Sequence, residues 1–200
     1  MPKIITIAHQ KGGVGKSTII LNLANSFKEN VSVAIVDTDP QGTVLQLKEK
    51  IKNIEVLSYQ ENLKALQYDV IFVDTPPYLS ELLPNIFLQS DVVLIPTKVG
   101  IADLLAIRST IQLVKETQKK NDKLKAAVVL NMVKHGTTLT AEVTEQIKNF
   151  NFPIFKTTIT DRVNFARSIA LENGIYGIGD AKAEKEIDLL TKELLILINK

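Results

Sequence analysis

The sequence predicts an α/β fold: a doubly wound, mostly parallel sheet with helices on both faces. Short β-branched runs alternate with helical patterns along the 200 residues, which is the arrangement that βαβ units require. Several of those runs are apolar at every position, as strands covered on both faces are. The first run also passes through a glycine-rich loop straight into a helical pattern, giving strand, tight turn and crossover helix in that order.

Taken in order, the first strand begins at Lys3 and leads to Lys11-Gly12-Gly13-Val14-Gly15-Lys16-Ser17-Thr18, where a helical pattern opens and continues through Leu21, Leu23, Ala24 and Phe27. Central strands are expected at 33–36, 70–73, 92–95 and 127–130, with weaker, edge-type candidates at 54–57 and 153–155. Helices are expected at 44–51, 81–88, 101–119, 140–150, 162–171 and 181–197. The segment 172–179 holds three glycines and reads as a surface loop, not a domain boundary. No repeat, linker or low-complexity segment divides the chain, so a single domain over 1–200 is expected. A chain of this length buries roughly 70% of its unfolded surface and needs no staple.

Composition narrows the function classes. The chain has no cysteine, which excludes disulfides, thiolate zinc sites and cysteine-ligated iron–sulfur clusters and fits a reducing, cytoplasmic setting. Met1-Pro2-Lys3 leads directly into the first strand without a signal pattern, and no apolar run approaches the ~20 residues of a spanning helix. With 24 basic and 22 acidic residues the net charge is +2, so any nucleic-acid surface must be local.

Three stretches carry chemistry. In the glycine loop, successive backbone N–H groups can converge on one anion, and the following helix N-terminus adds a favourable partial charge. Lys16 would reach the β/γ-phosphates of a nucleotide and the Ser17 hydroxyl would ligate Mg²⁺. A glycine-rich turn with a solvated lysine is the bland alternative; the strand before, the helix after and the order Gly-Lys-Ser weigh against it. The loop departs from the general pattern G-x-x-x-x-G-K-[ST], having Gln10 where glycine is usual and a second lysine, Lys11, after it. In Asp37-Thr38-Asp39-Pro40-Gln41-Gly42, two carboxylates leave an apolar strand, and Pro40 disfavours helix at Asp39. In Asp74-Thr75-Pro76-Pro77, an acid ends four apolar residues, as a carboxylate fixed near Mg²⁺ does.

The run from Lys11 to Thr18 resembles the deviant Walker A box of the ParA/MinD group of ATPases, whose signature residue is the first lysine. The segments at Asp37 and Asp74 are similar to that group's D-x-D-P-Q-G and D-x-P-P. The resemblance implies ATP and Mg²⁺ as cofactors, with nucleotide contacts from Lys11, Gly12, Gly13, Val14, Gly15, Lys16, Ser17 and Thr18. It implies that Lys11 crosses an ATP-bound sandwich homodimer to the partner's phosphates, that Asp39 positions the attacking water, and that Asp37 supports a magnesium shell containing Ser17 and Asp74. For Asp37 a backbone-capping Asx turn stands beside that role. Asn131, Thr158 and Thr160 fall where the group holds adenine.

The tail from Ala181 to Lys200 puts Ile187, Leu190, Leu194 and Ile198 on one helical face and resembles the last helix of short, ParF-like ParA proteins. A short form of the group, without a DNA-binding extension before the loop, is therefore expected. By resemblance, the expected function is a nucleoid-associated partition ATPase that binds DNA nonspecifically as an ATP dimer. A centromere-binding, ParB-like adaptor would release it by stimulating hydrolysis. Arg162, Arg167, Lys182 and Lys185 are the candidate DNA contacts; the cluster Lys115, Lys119, Lys120, Lys123 and Lys125 reads as a solvated helix end. A MinD-like membrane ATPase is the main alternative, but acids at Glu184, Glu186, Asp188 and Glu193 interrupt the basic tail such a protein needs. An ATP-dependent ligase of the same fold and positioning of a non-DNA cargo also remain open, whereas a nitrogenase-reductase-like protein would need cysteines.

Overall fold

The computed structural model describes residues 1–134 and 138–199; Lys200, at the end of the tail, lies outside them. Among the described residues seven strands form one sheet: β1 (Lys3–Ile7), β2 (Val33–Asp37), β3 (Glu55–Ser58), β4 (Val70–Asp74), β5 (Val92–Thr97), β6 (Lys125–Val133) and β7 (Ile154–Thr160). Their order is β3-β2-β4-β1-β5-β6-β7, and every pairing is parallel. The two weak runs are the two edges.

Strand alternation divides the core into two layers. Ile5, Ile7, Ile35 and Phe72 pack under α1 (Lys16–Phe27) and, later in the chain, α5 (Val163–Ser168) and α6 (Ala181–Ile198). Ile4, Val36, Ile71 and Val73 face α2 (Leu83–Gln89), α3 (Ile101–Gln118) and α4 (Leu139–Asn149). Burial on both faces explains why these strands read as unbroken apolar runs.

Several elements differ from the sequence expectation for identifiable reasons. The 44–51 helix is a 3₁₀ turn, Leu45–Lys50, with no buried residue; the apolar anchors Val44 and Ile51 lie outside it at the two ends. Pro84 sits in the first turn of α2 and fixes its late start. The α5 helix is six residues long, not the ten expected. The 172–179 segment is not a simple surface loop: Gly174–Gly177 forms a 3₁₀ turn and Ile175 is fully buried against α1.

The tail helix closes the β7 edge. Ile187, Leu190 and Leu194 are buried, while Glu193 accepts the N–H groups of Lys156 (2.9 Å) and Thr157 (2.7 Å). Glu186 accepts the N–H of Thr160 at 2.8 Å. Carboxylates thus satisfy donors that an edge strand would otherwise present to another chain.

Asn22 ties α1 to α5 and to the 3₁₀ turn at Ile175. It is fully buried; its amide donates to the Thr18 carbonyl (2.8 Å) and Ser168 Oγ (2.9 Å), and its Oδ1 accepts the Ile175 N–H (2.7 Å). Asn22→Ala leaves that N–H without a partner and should cost about 2–4 kcal/mol. Urea unfolding followed by circular dichroism measures this; an unchanged midpoint would mean that the amide is not a structural tie.

Candidate nucleotide site

The loop after β1 is held by side chains at both ends. His9 Nδ1 accepts the Lys11 N–H at 2.8 Å, and Asn131 Nδ2, from β6, donates to the Val14 carbonyl at 2.7 Å. Gly15 caps α1 in the left-handed region (φ +88°), and a Cβ there would collide with the Asn131 amide. Both facts demand glycine at that position. The first turn of α1 carries no acidic residue, so the helix N-terminus is left to an external anion.

Lys16, the first residue of that helix, is 8% exposed. Among the described residues it forms no ion pair. Burial lowers its pKa below the ordinary lysine value, with the Asp74 and Asp39 charges pulling the other way. Opposite it, Asp74 is 1% exposed at the end of β4, in register with Ile7 of β1 and Asp37 of β2. Its Oδ2 accepts the Ser17 hydroxyl at 2.6 Å, while its Oδ1 is buried without a partner. Burial pushes the Asp74 carboxyl up to about 7, the Ser17 hydrogen bond opposing this. A buried cation at a helix N-terminus facing a buried acid–hydroxyl pair is an arrangement for phosphate and a divalent metal.

The sequence agrees with this geometry. A family model described as the CobQ/CobB/MinD/ParA nucleotide binding domain matches residues 5–175. The chain belongs to that family. It is 29% identical to maintenance of carboxysome distribution protein A of Halothiobacillus neapolitanus, over 96% of this chain and 95% of the relative. It is 28% identical to sporulation initiation inhibitor protein Soj of Bacillus subtilis, over 84% and 88% of the two chains. A putative plasmid partition protein from Borrelia burgdorferi, solved bound to AMPPNP, has the same fold: TM-score 0.72 at 24% identity, covering 96% of this chain and 100% of that one. The chain is a ParA/MinD-family P-loop ATPase.

In this ATPase the remaining predicted residues fall into three sets: the acids of the turn after β2, the residues near a cavity beside the loop, and the basic residues of 162–185. Asp37 is 2% exposed and its carboxylate accepts three backbone N–H groups, from Asp39 (3.0 Å), Val44 (2.9 Å) and Leu45 (3.1 Å). It therefore shapes the turn that carries Asp39, whose Oδ1 accepts the Gln41 N–H at 3.0 Å. Among the described residues no three acidic or histidine side chains converge as a metal cage; Mg²⁺ usually takes one or two carboxylates and completes its shell with phosphate and water.

A cavity of about 110 Å³ adjoins the loop, lined among others by Thr18, Asn131, Met132, Thr160, Arg162 and Phe165. Asn131 and Met132 reach it because β6 slips register between Leu130 and Val133, with Met132 at φ +53°. Thr158 pairs with Leu130 in the sheet and does not line this cavity, and the Thr160 hydroxyl donates to Glu186 at 2.8 Å.

Arg162 also faces this cavity. It pairs with Glu186 at 3.0 Å, with side chains 24% and 16% exposed. Arg167, Lys182 and Lys185 are exposed. Sequence reading missed His9, which is 2% exposed and whose pKa is lowered to about 4 chiefly by burial, then by Lys16. It also missed Asp103, which pairs with Lys11 at 2.7 Å.

Asp74 and His9 give opposing pH dependences. The folded protein retains a proton on Asp74 that the unfolded chain releases above pH 3.8, so Asp74 reduces stability as pH rises towards about 7. The buried His9 ring refuses a proton that the unfolded chain takes up below pH 6.5, so His9 reduces stability as pH falls towards 4. Asp74→Asn removes only the first effect. It should stabilise the nucleotide-free protein by about 2–4 kcal/mol at pH 8, with the gain vanishing near pH 4. Denaturant midpoints across pH check this, and a gain independent of pH would contradict the burial of an ionisable carboxyl.

Proposed function

We propose that this ATPase works as a nucleotide-controlled DNA partition switch: ATP joins two copies into a sandwich dimer that binds DNA nonspecifically, and hydrolysis separates them. The observation that carries this reading is Lys11. It is a second lysine in the phosphate loop, its side chain is 42% exposed, and its ammonium pairs with Asp103 of α3 at 2.7 Å.

In this reading the β/γ-phosphates lie against Lys16 and the N-terminus of α1, and the base enters the cavity beside Asn131 and Arg162. Ser17 and Asp74 would hold Mg²⁺, which when bound would supply charge neutralisation for the phosphate oxygens. The unused Asp74 Oδ1 and the Ser17 hydroxyl are the donor types this ion takes. Asp39 orients water for in-line attack on the γ-phosphate, Asp37 fixes the turn beneath it, and Lys11 of one subunit stabilises charge on the other subunit's phosphates.

DNA affinity in a protein of net charge +2 comes from pooling local patches on dimerisation. With Arg162 committed to Glu186, the contacts fall to Arg167, Lys182 and Lys185. A ParB-like adaptor on cargo DNA would trigger release. The relative named for carboxysome distribution, which matches nearly the whole chain, supports a second reading in which the cargo is not DNA. The membrane alternative is disfavoured because the apolar face of α6 is packed into the core.

Filter binding of nonspecific duplex across a salt series, with ADP or ATP, tests the proposal. ATP should tighten binding. Arg167→Ala should lower the log–log salt slope by about two, one phosphate contact per subunit, while Arg162→Ala should weaken nucleotide binding instead. Equal DNA affinity with either nucleotide, or none at low salt with ATP, would remove the DNA reading.

A further inference from the structure

The signature lysine is held at two points within its own subunit. Its backbone N–H is fixed by His9 Nδ1 at 2.8 Å. Its ammonium donates to Asp103 Oδ1 at 2.7 Å, across 92 residues of sequence. Asp103 is 7% exposed and sits in the first turn of α3. Gly100, the N-cap of that helix, is extended (φ −163°), and a Cβ there would lie 2.8 Å from Asp103 Oδ2. The missing side chain at 100 leaves the carboxylate the room in which it meets Lys11.

We propose that Asp103 is a latch: its ion pair keeps Lys11 in cis, and the pair must open before Lys11 can serve the phosphates of a second copy. This rests on the dimer reading above. An ammonium held on Asp103 of its own chain is not extended towards a second chain, so the cis and trans contacts compete. A partly exposed ion pair favours its closed form by about twofold to fivefold. A two-fold dimer opens two latches, so the factor enters the dimer dissociation constant squared, about 4-fold to 25-fold. Asp103 is a positioning residue in this scheme, acting through Lys11 and touching no substrate. The latch lets the nucleotide-free protein keep Lys11 away from the site and sets how much ATP is needed to assemble the dimer.

Two measurements test the latch, on wild type, Asp103→Asn, Asp103→Glu and Gly100→Ala. The last keeps both charges and displaces the carboxylate, so it carries the test if Asp103→Asn folds poorly. In the first, acetylation by acetic anhydride without nucleotide is quantified at each lysine by mass spectrometry, with exposed Lys182 as internal reference. Lys11 should react about twofold to fivefold faster in Asp103→Asn, with Asp103→Glu nearer wild type. Equal Lys11 rates in all four proteins would overturn the latch whether or not a dimer exists. In the second, sedimentation velocity with ATP and Mg²⁺ should show Asp103→Asn dimerising at lower protein concentration than wild type. A dimer of equal or lower affinity would overturn the competition between cis and trans contacts. Wild type that stays monomeric at saturating ATP, with the acetylation difference present, would overturn the dimer reading and the trans half of the proposal while the cis pair stands.

Discussion

Lys16 and Asp74 carry opposite charges, both are kept from water, and no ion pair joins them. Removing an ion from water costs several kcal/mol even after the protein relaxes. The fold meets that cost on both sides by shifting the groups towards neutrality: Lys16 downward and Asp74 upward, each chiefly through burial. Such a pair is poised for a ligand that brings both signs of charge. Phosphate oxygens restore the ammonium's counter-charge, and a divalent cation restores the carboxylate's.

The sheet order makes this arrangement possible. β1 lies between β4 and β5, and β2 lies beyond β4, so the carboxyl ends of β1, β2 and β4 deliver the loop, Asp37 and Asp74 to one edge, where open α/β sheets bind ligands. The remaining polar groups hold that edge in place. Asn131 grips the loop from β6, Asp37 caps the turn beneath Asp39, and Asn22 anchors α1 to the turn at Ile175. The glutamates of α6 serve β7, so the tail helix supports the cavity wall and closes an edge together.

Sequence reading succeeded where local signals decide and faltered where distant ones do. Asp74 was legible because a fully buried strand is an apolar run and the acid ends it. Gly15 was legible because Gly-Lys-Ser between strand and helix has few other uses. Arg162 read as a surface base because it neighbours Arg167 on a polar-looking helix; its partner Glu186 is 24 residues away and reaches it only through α6 packing. Asp103 gave no signal, since an acid in the first turn of a helix is ordinary, and only the fold brings it to Lys11. The bulge of β6 at Asn131 and Met132 was equally silent. In 172–179 the glycines suggested a loop, while the buried Ile175 among them decides the structure.

If the buried Lys16 ammonium is kept for phosphate, calorimetric titration of Mg²⁺-ATP into wild type and Lys16→Ala will separate the two proteins. Affinity should fall about a hundredfold or more, about 3 kcal/mol, in a variant whose circular dichroism spectrum matches wild type and whose denaturant midpoint is at or above it, because a buried unpaired charge has been removed. A folded Lys16→Ala protein that binds Mg²⁺-ATP with unchanged affinity would contradict it.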